Sequence, residues 1–198
     1  MSVRKAILLV LLLPLSWMVS AQEGNLYHLE NDIYVASVDP AFWNYYRSQY
    51  KENWCWAACV QMVLNHQSVS VTQSEIVRRV YGSTYDFSAD GRRIAEELDG
   101  WYVDYSTVHT YYAQYKDANT LIDALMKGVP LIVGLKNEYR TIGHAVVLVR
   151  AYFKRSGGTL SPYKVTVLDP SDRGNREVTQ YWDSFYKKIN SIIYIRID

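Results

Sequence analysis

The sequence predicts an α+β fold, with a helical N-terminal part packed on a C-terminal antiparallel sheet. Three observations carry that prediction. Apolar residues fall at helical spacing through the first half of the chain. Continuous apolar runs of strand length dominate the second half, and Gly157-Gly158 separates two of those runs as a hairpin turn would.

The first 21 residues stand outside that fold. Arg4 and Lys5 precede an apolar run from Ala6 to Val19, and Val19-Ser20-Ala21 closes it with the small residues of an Ala-x-Ala-like cleavage site. A membrane anchor is the weaker reading, because the run is shorter than the roughly 20 residues that span a bilayer and contains Pro14. The expectation is a secretory signal over residues 1–21 and one exported domain over residues 22–198, with no stable membrane association after cleavage. No Pro/Gly/Ser-rich linker or repeat divides the remainder.

Within the domain, residues from Trp54 to Asn65 place Cys55, Ala58, Cys59, Met62 and Val63 on one helical face, and Asn53 stands where an N-cap would. Thr72-Gln73-Ser74-Glu75 matches a capping box and opens a second helix that runs to Gly82. Arg92 to Leu98 gives a weaker third helix, and Thr120 to Lys127 a short fourth one closed by Gly128. Strands follow at Leu131–Leu135, from His144 to Phe153, from Tyr163 to Leu168, and from Ile192 to Arg196.

Charge excludes some functions. With 21 basic and 20 acidic residues the formal net charge is +1, which favours neither nucleic acid nor an anionic membrane as partner. A protein or peptide partner is expected. The two cysteines lie four residues apart in Trp54-Cys55-Trp56-Ala57-Ala58-Cys59. On a helix that spacing holds Cβ atoms about 5–6 Å apart, whereas a disulfide needs about 3.5–4.5 Å. Two free thiols are therefore expected, and they match neither a Cys-x-x-Cys redox motif nor a zinc site, so no metal or cofactor is expected.

A thiol attacks as the thiolate, and a helix N-terminus favours negative charge through its unsatisfied N–H groups. Cys55 falls in the first turn and is the candidate nucleophile. Cys59, one turn further in among apolar residues, reads as a small core residue.

Four histidines compete for the role of base. His66, eleven residues along the same helix, would lie about 16 Å from Cys55. His28 near the N-terminus and His109 among tyrosines read as surface or packing residues. His144 opens a predicted central strand after Ile142-Gly143, where a small residue lets another element approach. Pairing Phe153 with Tyr163 across the turn brings the stretch from Asp169 to Asp172 opposite His144. Asp169 is the first choice to orient the ring and Asp172 the reserve, with a plain Asp-Pro turn as the alternative reading of Asp169.

Around these residues the chain resembles the papain-like cysteine peptidases, and more closely their bacterial C39-like and C70-like (AvrRpt2-like) branches, whose nucleophile helix opens with a Cys-Trp pair as in Asn53-Trp54-Cys55-Trp56-Ala57-Ala58. The likeness extends through Ala124–Val133 and Gly143-His144-Ala145-Val146-Val147 to Val167-Leu168-Asp169-Pro170. It implies a papain-like fold and a Cys55–His144–Asp169 site. It also implies that Gln49, six residues before the nucleophile, helps form an oxyanion hole. Three departures stand out: Cys-Gly-Ser-Cys-Trp is reduced to Cys55-Trp56, Cys55 and His144 are 89 residues apart against about 130–150 in papain, and the third member is Asp rather than Asn.

The resemblance implies an exported cysteine peptidase that works through an acyl-enzyme. An amidase or acyltransferase could use the same groups. A catalytically silent binding or effector module is the other alternative, for which the 18 tyrosines would suit a recognition surface.

Overall fold

The computed structural model describes residues 25–29, 31–114, 117–136, 143–171 and 176–198. The expected signal segment lies outside them, as does Asp172. Nine strands form one sheet among the described residues, and most of the helices pack against it, so the architecture is α+β as expected.

Two strands precede the helices, which the sequence reading did not anticipate. They are β1 (Asn25–His28) and β2 (Ile33–Ser37), an antiparallel pair in which β2 lies against the sheet and β1 forms its edge. A 3-10 turn at Pro40–Tyr45 follows, opened by Asp39, whose carboxylate accepts from the Ala41 N–H, and by Pro40, whose fixed φ suits a first helical position.

Helix α1 (Cys55–His66) is the centre of the helical half. Every residue from Cys55 to Leu64 is buried, so this helix has no solvent face. Helix α2 (Gln73–Tyr81) begins with the reciprocal capping box of Thr72 and Glu75 that its sequence predicts. Helix α3 (Gly91–Leu98) starts one residue before the expected span, where the Asp90 carboxylate caps the Arg93 N–H. Helix α4 (Ala118–Met126) is capped by Asp117 through the Thr120 N–H.

Between α3 and α4 run β3 (Trp101–Val103) and β4 (Ser106–Ala113), also missing from the sequence reading. β4 is rich in Thr and Tyr, which favour strands, but only Val108 in it is buried, so no apolar alternation marks it. The C-terminal half contains β5 (Leu131–Leu135), β6 (His144–Ser156), β7 (Thr159–Leu168), β8 (Glu177–Tyr181), a short helix α5 (Trp182–Lys188) and β9 (Ile189–Ile197).

The long strand β6 organises the sheet. Its first half pairs with β5 and its second half with β2, while β7 runs antiparallel along β6 and carries β8 beyond it. Gly157 and Gly158 form the β6–β7 turn with φ of 54° and 86°, a region open to glycine and strained for other residues. The register differs from expectation: Phe153 faces Pro162 rather than Tyr163, because the two-residue turn pairs Ser156 with Thr159 and the unbroken count from there reaches Pro162; the irregularities at Tyr152/Phe153 and Leu148/Arg150 come only further along. β7 still ends at Leu168, opposite Val147, which carries Asp169 toward the start of β6.

Candidate active site

The first helical residue of α1 is Cys55 itself. Asn53 is not the N-cap: Trp54 occupies that position and makes no side-chain capping bond. Asn53 turns outward to a loop instead, where its N–H donates to Asp86 Oδ1 at 2.9 Å and its Nδ2 to Asp86 Oδ2 at 3.2 Å. The Trp54 and Trp56 indoles donate to the carbonyls of Tyr85 and Phe87, both at 3.1 Å. Together these bonds fasten the segment from Tyr85 to Phe87 beside the helix start. The candidate nucleophile Cys55 thereby lies closer still to the unsatisfied N–H groups of the first turn.

His144 opens β6, and its Nε2 lies 2.8 Å from Asp169 Oδ1. Gly143 makes this placement possible: a Cβ there would sit 2.8 Å from the Leu135 carbonyl oxygen, so any larger residue would push β5 and the start of β6 apart. Burial drives the His144 ring toward neutrality, but hydrogen bonds with Asp169 and with Cys55, and the charges on both, outweigh it and hold the ring up to about 10. With Nε2 engaged by Asp169, Nδ1 is the ring atom left for the sulfur.

Asp169 is fixed from several sides. Its Oδ1 accepts the Ser171 N–H at 2.8 Å, its own N–H donates to the Arg176 carbonyl at 2.8 Å, and the Tyr46 hydroxyl donates to its carbonyl at 2.9 Å. Burial pushes its carboxyl upward, and the bonds from His144 and Ser171 more than offset this, so the group is held below its ordinary 3.8. Asp169 thus serves both readings at once, as a turn-forming Asp and as the partner of His144.

Cys55 and His144 face a cleft of about 230 Å³, with Trp56 and Gly91 on the helical wall and Gly134 and Ser191 on the sheet wall. Ser191 approaches both glycines so closely that a Cβ at Gly91 would meet its Oγ at 2.5 Å. Gln49 lies outside this lining. Its N–H donates to the Pro170 carbonyl at 2.9 Å, and its Nε2 donates to the carbonyls of Lys51 at 2.9 Å and Glu52 at 2.6 Å, which leaves Oε1 buried without a partner. Both amide protons are engaged, so contact with a substrate oxygen requires one of these bonds to be exchanged.

The model of the peptidase C39-like family matches residues 44–196, more than half of the chain. This chain belongs to the peptidase C39-like family. Two solved structures show the same fold for the C39-like chain. One is the peptidase domain of Streptococcus ComA, a bifunctional ABC transporter involved in a quorum-sensing pathway, with 16% identity, a TM-score of 0.54, and coverage of 75% of this chain and 95% of that one. The other is digestive procathepsin L 3 of the Tenebrio molitor larval midgut, with 14% identity, a TM-score of 0.53, and coverage of 81% and 69%. No curated protein matches the chain in sequence.

The remaining candidates fall where the sequence reading put them in the C39-like chain. Cys59 is fully buried and both cysteines are free; burial, with Cys55 and Asp169 adding to it, pushes the Cys59 thiol well above its ordinary value and keeps it protonated. His66 sits at the far end of α1 against the rings of Phe42 and Tyr45, and burial lowers its pKa despite Asp39. His109 lies on β4 with Nε2 3.0 Å from Asp198 Oδ2, and His28 packs on Tyr34. Among the described residues no cluster of His, Cys, Asp or Glu could hold a metal ion. Tyr46, which anchors Asp169 across 123 positions of sequence, was missed, and nothing in its local sequence marks it.

Proposed function

We propose that the chain is an exported cysteine peptidase in which Cys55, His144 and Asp169 hydrolyse a peptide bond through an acyl-enzyme, with Gln49 and the Cys55 N–H as oxyanion donors. The observation that carries the reading is the His144 ring, bonded to Asp169 through Nε2 and lining the same cleft as Cys55. The Cys55 thiolate attacks the scissile carbonyl carbon, and the electron pair moves to the carbonyl oxygen. As the C–N bond breaks, His144 gives its proton to the leaving amine and a thioester remains. Water then attacks the thioester, His144 takes a proton from it, the C–S bond breaks, and the carboxylic acid leaves with thiolate and imidazolium restored. Asp169 holds the ring in place and stabilises its cationic form throughout.

The substrate is a protein or peptide, in keeping with the family. Export rests on the secretory pattern of residues 1–21, and sequencing of the mature N-terminus should give Gln22. Turnover of a fluorogenic peptide library by the wild type, and none by Cys55→Ala with unchanged circular dichroism, is the expected result; equal turnover by both would end the reading.

One observation favours a catalytically silent module instead, namely the engagement of both Gln49 amide protons with Lys51 and Glu52. A silent site would alkylate with iodoacetamide near pH 6 only as fast as an ordinary thiol and would not acylate with an ester.

A further inference from the structure

No helix or regular strand covers the stretch between the Pro40–Tyr45 turn and the start of α1, yet this stretch carries Gln49. Some other structure must hold Gln49 in place. Gln73, on α2, is fully buried although glutamine is mostly a surface residue. Its carboxamide is fully used: Nε2 donates to the Ser48 carbonyl at 2.9 Å and to Gln61 Oε1 at 3.2 Å, and Oε1 accepts the Tyr50 N–H at 2.9 Å. Gln61, on the nucleophile's own helix and 4% exposed, donates in turn to the Val71 carbonyl at 2.9 Å.

Ser48 and Tyr50 flank Gln49, whose own N–H points the other way, to the Pro170 carbonyl beside Asp169. Residues 48–50 are therefore hydrogen-bonded along both edges, as an interior strand would be, with the Gln73 carboxamide standing in for one neighbour and the Asp169 loop for the other. A buried polar network with every member satisfied fixes one arrangement, because any displacement leaves a desolvated group unpaired. The same pair also ties residues 48–50 to α1, so Gln49 and Cys55 share one frame.

The geometry points to Gln73, oriented by Gln61, as a positioning residue that holds Gln49 for oxyanion contact; this rests on the proposed role of Gln49. With the backbone at 48–50 fixed, the Gln49 side chain would trade the Lys51 or Glu52 carbonyl for a substrate oxygen. Neither glutamine touches substrate.

The test uses p-nitrophenyl acetate to acylate Cys55 and iodoacetamide to alkylate it, since alkylation forms no oxyanion. Gln49→Ala should slow acylation by about a hundredfold or more, and Gln73→Leu by about tenfold to a hundredfold through misplacement. In the Gln49→Ala background, Gln73→Leu should then change acylation by no more than about twofold, because both act through one contact. Alkylation should stay within about twofold throughout, and the Tyr50 amide should lose at least about tenfold of its hydrogen-exchange protection in Gln73→Leu. Gln61→Leu, which leaves the Ser48 and Tyr50 bonds available, should show the same pattern more weakly and serves if Gln73→Leu fails to fold. Additive effects of Gln49→Ala and Gln73→Leu, a parallel fall in alkylation, or unchanged Tyr50 protection would each overturn the proposal. A wild type that alkylates but never acylates would instead overturn the peptidase reading, and the positioning role with it, even where Tyr50 protection follows Gln73.

Discussion

Replacing Asp169 by Asn leaves an acceptor oxygen for the Ser171 N–H and for the His144 ring but removes the charge. The size of the effect follows from the contact. The carboxylate oxygen is 2.8 Å from Nε2, and the two side chains are 24% and 30% exposed. Opposite charges about 4 Å apart attract by about 4 kcal/mol at an effective dielectric of about 20. Solvent contact on both groups lowers this to about 1.5–3 kcal/mol, which is about ten- to a hundredfold in the protonation equilibrium of the ring. The ring, held up to about 10 in the native protein, should therefore lose its proton about one to two pH units lower in Asp169→Asn. Two assays read this directly: the basic limb of kcat/KM against pH, and the titration of the His144 ring resonance. Burial remains in the variant, so the shift can only be downward. A limb and a resonance that both stay where they are, in a variant with native circular dichroism, would refute the assignment of Asp169 as the group that charges the ring.

Gly143→Ala should lower kcat/KM by about a hundredfold with little change in Tm, because a Cβ pressed against the Leu135 carbonyl moves the His144 backbone without opening the core; activity near wild type would mean that this approach is not what places the ring. Cys59→Ala should cost about 1 kcal/mol in chemical denaturation and leave acylation near wild type, whereas inactivation without unfolding would mean two thiols share the chemistry. The folded-state value of His144 lies above its ordinary 6.5, so its stabilisation is fully present below that pH and is lost as pH climbs through about 10. Asp169 is displaced the other way, and its contribution stands above its ordinary 3.8 and disappears as pH falls through its folded value. Denaturation midpoints measured across that range should form a plateau between the two losses, and His144→Ala should flatten the alkaline one.

Much of this site was legible because its chemistry is local. Cys55 at the start of an apolar helical stripe and His144 at the head of a long apolar run can each be recognised from their neighbours. The Thr72–Glu75 capping box and the Gly157-Gly158 turn likewise close within a few residues. What escaped depends on contacts distant in sequence. Asn53 has every local quality of an N-cap, but Asp86, 33 residues on, competes for it and wins. The Phe153–Tyr163 pairing missed by one residue: counting back from the two-residue turn puts Phe153 opposite Pro162, and Tyr163 is the residue skipped at the irregularity that follows. β4 stayed hidden because its Thr residues and Tyr112 are half-buried and Tyr111 is exposed, so polarity does not alternate along it. Gln49 was placed by resemblance alone, and the bonds that hold it come from α2 and from the loop after β7.

The complete enclosure of α1 has a consequence for how this chain can vary. A helix with one wet face tolerates replacement on that side, and its substitution profile rises and falls about every 3.6 residues. From Cys55 to Leu64 there is no such side. Apart from Cys55 and Trp56, which line the cleft, these positions are enclosed by packed neighbours, so an enlargement or a truncation must be matched by an opposite change in the element it touches. Variation here has to arrive as complementary pairs, one partner on the nucleophile's helix and the other on the sheet or on α2. The stretch that carries the thiol thus has little freedom to change one residue at a time.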